Sequence, residues 1–182
     1  MKKDMETFLG TISAIPQKMM RNLSFPPAFS LPDDQNQLRT LDELRQNKPL
    51  VLLFFRGAFC ATARRDLLAY SDIYERIGNL GAKLVAISVD STSELQLLRD
   101  KLELQFPLLS DLDFKVSSGY GVYPSDETEA GPQPHGEPAV FILDSQGRLI
   151  FSQIQSGPKG AASPNEMLLM LLYMAQHNGN YW

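Results

Sequence analysis

The run Val51-Leu-Leu-Phe-Phe-Arg-Gly-Ala-Phe-Cys60-Ala-Thr-Ala-Arg-Arg-Asp-Leu-Leu68 constrains this chain more than any other stretch. Val51 to Phe55 is continuously apolar, the pattern of a strand buried on both faces of a parallel sheet. Arg56 and Gly57 interrupt it, and the single cysteine of the chain follows. Leu67, Tyr70, Tyr74 and Ile77 then recur at helical spacing. Cys60 therefore falls where a buried strand hands over to a helix N-terminus. Backbone N–H groups lack intrahelical partners there, and the helix dipole favours negative charge by roughly 0.3–1 kcal/mol. A thiol so placed is biased towards thiolate, the form that attacks peroxides and disulfides. Arg56, Arg64 and Arg65 lie four or five positions from Cys60, and one of them turned to the sulfur would add to that bias. Placement alone also leaves open a second fate, that of a small, inert, buried apolar residue.

A chain of 182 residues suits one domain with a full core. The net charge of −4 and the lack of a basic run argue against nucleic acid as a partner. One cysteine excludes an internal disulfide, and two distant histidines, His135 and His177, do not suggest a metal site. No apolar stretch approaches the length of a membrane span. The opening Met1-Lys-Lys-Asp-Met-Glu lacks the uninterrupted apolar core of a secretory signal, so the cytoplasm is the expected compartment.

Residues 1–25 read as a helical arm (Met5, Phe8, Leu9, Ile12, then Pro16, Met19, Met20) that packs on the body or on a second copy in a homo-oligomer. Residues 26–182 read as the domain. Phe29 to Arg39 gives two short extended pieces around a polar turn, and Thr40-Leu-Asp-Glu a capping box opening a short helix. A strand over 50–55, a helix from Cys60 to Gly78, a strand over 83–90 and a helix from Ser91 to Leu104 follow. Phe106 to Ser110 is a short strand, with a helical turn near Phe114–Ser118. A polar loop spans 123–137. Ala139 to Phe151 is a hairpin turning at Ser145–Gly147, and residues 164–177 form a last helix. That order predicts an α/β chain of the thioredoxin-like fold, a central mixed β-sheet flanked by helices.

Phe-Arg-Gly-Ala-Phe-Cys60 resembles the active-site unit of redoxins. Phe106-Pro-Leu-Leu-Ser-Asp-Leu-Asp-Phe-Lys-Val-Ser-Ser-Gly-Tyr-Gly-Val-Tyr123, Ala86-Ile-Ser-Val-Asp-Ser91 and Pro138-Ala-Val-Phe-Ile-Leu-Asp-Ser-Gln-Gly147 resemble peroxiredoxin segments in the same order. From about Phe25 to Met174 the chain resembles the alkyl hydroperoxide reductase/thiol-specific antioxidant (peroxiredoxin-like) family. The resemblance implies that Cys60 attacks a peroxide O–O bond, becomes a sulfenic acid and is returned by an external thiol. No cofactor or metal is implied, and the partners are a peroxide and a small thiol or thioredoxin-type reductant. It also puts Pro138 where thioredoxin-type redoxins carry a cis-proline, beside the plainer reading of a trans proline starting a strand.

Four positions depart from the pattern. Ala63 stands where a Cys-x-x-Cys would place its second cysteine, Gly57 where peroxiredoxins carry threonine or serine, and Leu53 where they carry proline. Their strand-borne arginine aligns with Pro138. Arg56, Arg64 or Arg65 could take over its work, against the alternative of solvated helix arginines. Thr62 either contacts Cys60 or caps the first helical turn. The site candidates are thus Cys60 as nucleophile, with Arg56, Gly57, Thr62, Arg64 and Pro138 around the substrate. His135 and Gln133 lie in a loop expected to overhang the cysteine, though a lone histidine in a polar loop is more often surface. Asp90 and Asp111 read as helix caps. Three functions remain open: a one-cysteine peroxidase, a thiol–disulfide exchange protein, and a redoxin scaffold that only binds.

Overall fold

The computed structural model describes residues 20–128, 131–158, 160 and 163–180. Most of the expected arm, residues 1–19, lies outside the described residues. Met20 and Leu23 pack on the domain. Leu23 N–H donates to Leu149 O at 2.7 Å and Leu149 N–H to Ser24 O at 2.8 Å, which joins this lead-in to a strand edge.

The two extended pieces are β1 (Ser30–Pro32) and β2 (Leu38–Thr40), an antiparallel pair. The capping box at Thr40 opens α1 (Leu41–Arg45): its hydroxyl accepts from Glu43 N–H, and the Glu43 carboxylate accepts from Thr40 N–H at 2.9 Å. β3 (Leu50–Phe54) is buried at every position. Val51 and Leu53 enter one core while Leu50, Leu52 and Phe54 enter another, the two-sided burial that a continuous apolar run requires.

The single helix expected over 60–78 is two helices, α2 (Ala61–Ser71) and α3 (Tyr74–Asn79). At the join Ile73 N–H bonds the carbonyl three residues back, on Tyr70, at 3.3 Å. That tighter turn ends one helix and starts the next. β4 (Lys83–Ser88), α4 (Thr92–Leu102), β5 (Leu108–Ser110) and α5 (Lys115–Gly119) follow. Inside the expected polar loop, β6 (Pro124–Ser125) and β7 (His135–Gly136) pair antiparallel. The hairpin is β8 (Ala139–Leu143) and β9 (Leu149–Ile154), and α6 (Pro164–Gln176) comes last.

The main sheet runs β5-β4-β3-β8-β9. β3, β4 and β5 are parallel, and β8 is antiparallel to both β3 and β9. Leu67 of α2, Ile77 of α3, Leu95 of α4 and Leu171 of α6 pack into the core on one face. Leu41 of α1, Val116 of α5 and Leu31 of β1 pack on the other. This is the thioredoxin-like α/β layout that the element order predicts. It leaves the C-terminal end of β3 in the middle of the sheet, where ligands of open α/β folds collect. Among the described residues, no helix is long and apolar enough to cross a membrane.

Candidate active site

Phe55 extends β3 by one bond, its N–H donating to Ile87 O at 3.0 Å, and the chain then leaves the sheet. Arg56 to Phe59 form a short arch that delivers Cys60 to the N-cap of α2. Two side chains hold the arch. Asp90 Oδ2 accepts from Ala58 N–H at 2.8 Å and from Ser88 Oγ at 2.7 Å. Arg64, one turn into α2, donates Nη1 to Ala58 O at 2.6 Å and Phe59 O at 3.1 Å. Burial pushes the Asp90 carboxyl above the usual aspartate range, against the lowering effect of those two hydrogen bonds.

Cys60 is buried, with 8% of its surface exposed. No side chain caps α2 and no acidic residue occupies its first turn, so the positive end of the helix is left to the sulfur. Arg56 donates towards the sulfur, its Nη1 standing 3.8 Å from Cys60 Sγ. Its other nitrogens point away: Nη2 donates to Glu127 O at 2.9 Å and Nε to His135 Nε2 at 3.0 Å. Glu137 Oε2 lies 3.2 Å from the same Nε. His135 is wholly buried, its ring edge-on to Phe59 at 5.3 Å, and Arg56 lies over the Phe59 ring. A buried cysteine at a helix N-terminus beside a buried arginine is equipped to attack an electrophile and to meet the charge that develops on it.

The family model of the AhpC/TSA family matches residues 25–152. The chain belongs to the AhpC/TSA family.

Among curated relatives, the peroxiredoxin-named bcp protein of Coxiella burnetii is 30% identical over 122 residues, 66% of this chain and 80% of that one. The chloroplastic peroxiredoxin Q of Sedum lineare is 34% identical over 124 residues, 68% of this chain but 63% of that one. The chain thus spans somewhat less than two thirds of the plant protein. In three dimensions it superposes on peroxidoxin BcpB from Mycobacterium tuberculosis with a TM-score of 0.71 at 20% identity, covering 87% of this chain and 97% of that one. At that identity the superposition speaks for the fold.

Within this AhpC/TSA chain the sequence candidates separate. Cys60, Arg56 and Gly57 come together in the arch. Arg64 braces the arch carbonyls, and Arg65 is exposed beside Asp66, with no contact to the sulfur. Thr62 makes no cap bond to α2. With Arg56, Ala63, Asp66, Pro138 and Pro158 it lines a cleft holding about 10 Å³ of free space, the room of about one water. No peptide among the described residues is cis, so of the two readings of Pro138 the trans proline at a strand start holds, and the cis form that the resemblance implies does not. Pro138 leads into β8, and its carbonyl accepts Gln155 N–H at 2.9 Å.

Two further expectations change. His135 is not on the surface, because the β6–β7 pairing turns the loop back over the arch. Asp90 caps no helix; Ser91 does that for α4, and Asp90 holds the arch. Asp111 does cap, accepting from Val116 and Ser117 N–H at 3.1 and 2.7 Å. Glu137 carried no signal in the sequence. Burial works against its ionisation, but the Arg56 charge holds its carboxyl below the usual glutamate range.

Proposed function

We propose that this chain is a one-cysteine, thiol-dependent peroxidase with Cys60 as nucleophile and Arg56 as the group that faces the reacting oxygens. The observation that supports the reading is Arg56 Nη1 at 3.8 Å from Cys60 Sγ, on a sulfur already at the head of α2. The Cys60 thiolate attacks one oxygen of hydrogen peroxide or an organic hydroperoxide. The S–O bond forms as the O–O bond breaks, and the leaving oxygen takes a proton to depart as water or alcohol. The guanidinium meets the charge spreading over the two oxygens, the work done in the family pattern by an arginine for which this chain has Pro138.

The sulfenic acid then condenses with an external thiol, releasing water and forming a mixed disulfide. A second thiol displaces that disulfide and returns Cys60. Ala63 cannot act as a resolving group, so the reductant is a small thiol or a thioredoxin-type protein, and no other cofactor is needed. A reducing compartment such as the cytoplasm fits this demand. Self-association belongs to the same proposal, with the exposed Leu169 and Leu172 of α6 as an available surface.

The test is peroxide consumption with dithiothreitol as reductant. The wild-type chain should react orders of magnitude faster than free cysteine. Cys60→Ser should reduce this to the uncatalysed background, and turnover retained in that variant would sink the assignment.

A further inference from the structure

Arg56 has one Nε–H, which a buried histidine accepts while a buried carboxylate stands beside it. His135 Nε2 lies 3.0 Å from Nε and Glu137 Oε2 3.2 Å. Glu137 Oε2 has no hydrogen-bond partner of its own among the described residues, although the side chain is only 3% exposed. His135 Nδ1 stands 2.6 Å from Gln133 O. A carbonyl can only accept, so these contacts assign the ring proton to Nδ1 and leave Nε2 with the lone pair that Arg56 addresses. Glu137 Oε1 completes the group, 3.4 Å from His135 Nε2.

We propose that His135 and Glu137 are positioning residues for Arg56: His135, by accepting its Nε–H, fixes the direction of the guanidinium, and Glu137, its carboxylate paired with the same cation, sets how much of that charge reaches Cys60. The peroxide half of this proposal rests on the reading of Arg56 as the group facing the oxygens; the charge half does not. His135 draws Nε towards β7, which turns Nη1 to the sulfur and Nη2 to Glu127 O. Glu137 neutralises much of the cation from its far side. Cys60 therefore faces one end of a balanced ion pair instead of a bare positive charge. The other charged groups around the arch are Asp90, bonded to Ala58 N–H, and Arg64, bonded to the carbonyls of Ala58 and Phe59. Neither touches Arg56.

The experiment measures Cys60 alkylation by iodoacetamide against pH, with peroxide oxidation rates taken in parallel. Glu137→Gln keeps the shape and removes the charge. Its alkylation midpoint should move to lower pH by about half a unit to one unit, since an uncovered cation favours the thiolate. A merely structural role for Glu137 would loosen the site, changing the plateau rate without moving the midpoint. A midpoint that is unchanged or raised overturns the proposal. If Glu137→Gln does not fold, Glu137→Asp withdraws the carboxylate from Arg56 and should move the midpoint the same way by less; no movement there is equally fatal. His135→Gln keeps an acceptor near Nε2 and should hold the plateau peroxide rate within about threefold. His135→Leu removes the acceptor and should lower that rate about tenfold or more. Equal rates in the two histidine variants overturn the directing role. A wild-type chain no faster than free cysteine towards peroxide would end the peroxidase reading, while the alkylation midpoints would still decide the charge-setting role of Glu137.

Discussion

At Gly57 the backbone takes φ +134°, a conformation side chains rarely tolerate, and the space is closed as well. A Cβ there would come within 3.0 Å of Asp90 Oδ1 and of the Phe59 ring. Gly57→Ala should therefore cost about 1–3 kcal/mol, read as a lower urea midpoint with an unchanged slope. It should also push the arch away from Asp90, so alkylation of Cys60 should change along with stability. Wild-type stability and alkylation in this variant would show that the arch relaxes freely. A threonine, which the resemblance leads one to expect here, could not occupy this backbone without moving it. The partners of that arch were not legible. His135 is one histidine among polar residues, Glu137 one of 21 acidic residues, and Asp90 reads equally well as a cap. Each acquires its place only when distant segments meet: Arg56 and His135 are 79 positions apart, Ala58 and Asp90 32.

At the scale of elements, periodicity carried most of what can be read locally. The apolar runs of β3, β4 and β8 identify strands buried on both faces, and the Thr40 capping box marks its helix start to the residue. The split between α2 and α3 had no such signal, because Tyr70, Tyr74 and Ile77 keep helical spacing across the join. The N-terminus of α2 shows why element stability and site chemistry pull against each other. Its first turn lacks the acidic residue that would favour the helix dipole. Ala61, exposed at that position, can supply one. Ala61→Glu should stabilise the helix by roughly 0.3–1 kcal/mol while placing a negative charge beside a thiolate-forming sulfur. Thermal unfolding should shift upward by a few degrees at most, and alkylation near neutral pH should slow several-fold. Faster alkylation in this variant would mean that the helix field does not govern the sulfur.

At the scale of the molecule, four buried carboxylates, Asp33, Glu137, Asp90 and Asp111, form two pairs with opposite linkage to pH. Burial opposes ionisation of Asp33 and Glu137, yet Arg39 with the Gln37 and Gln35 N–H groups, and the Arg56 charge, hold these carboxyls below their usual ranges. In the folded state they keep fewer protons than in the unfolded chain, so their contribution is present above about pH 4 and lost as pH falls through the lowered values. Asp90 and Asp111 behave in reverse. Burial dominates, their carboxyls are raised despite hydrogen bonds from Ser88 and Ala58 or from Ser117 and Val116, and folding is weakened as pH rises through the raised values. Asp90 carries the clearer test, because asparagine keeps an acceptor oxygen for Ala58 N–H and Ser88 Oγ while removing the proton equilibrium. Urea unfolding of the wild-type chain and Asp90→Asn between pH 4 and 7 should give curves that separate with pH. The folded wild-type chain holds its proton longer than the unfolded one, so stability of the wild type relative to the variant should fall as pH rises. Any constant offset reports the altered hydrogen bonds, and only the slope reports the buried charge. Parallel curves would mean that Asp90 ionises in the folded arch as readily as in water. Holding Cys60 at the head of α2 through Asp90 would then carry no cost of a buried charge.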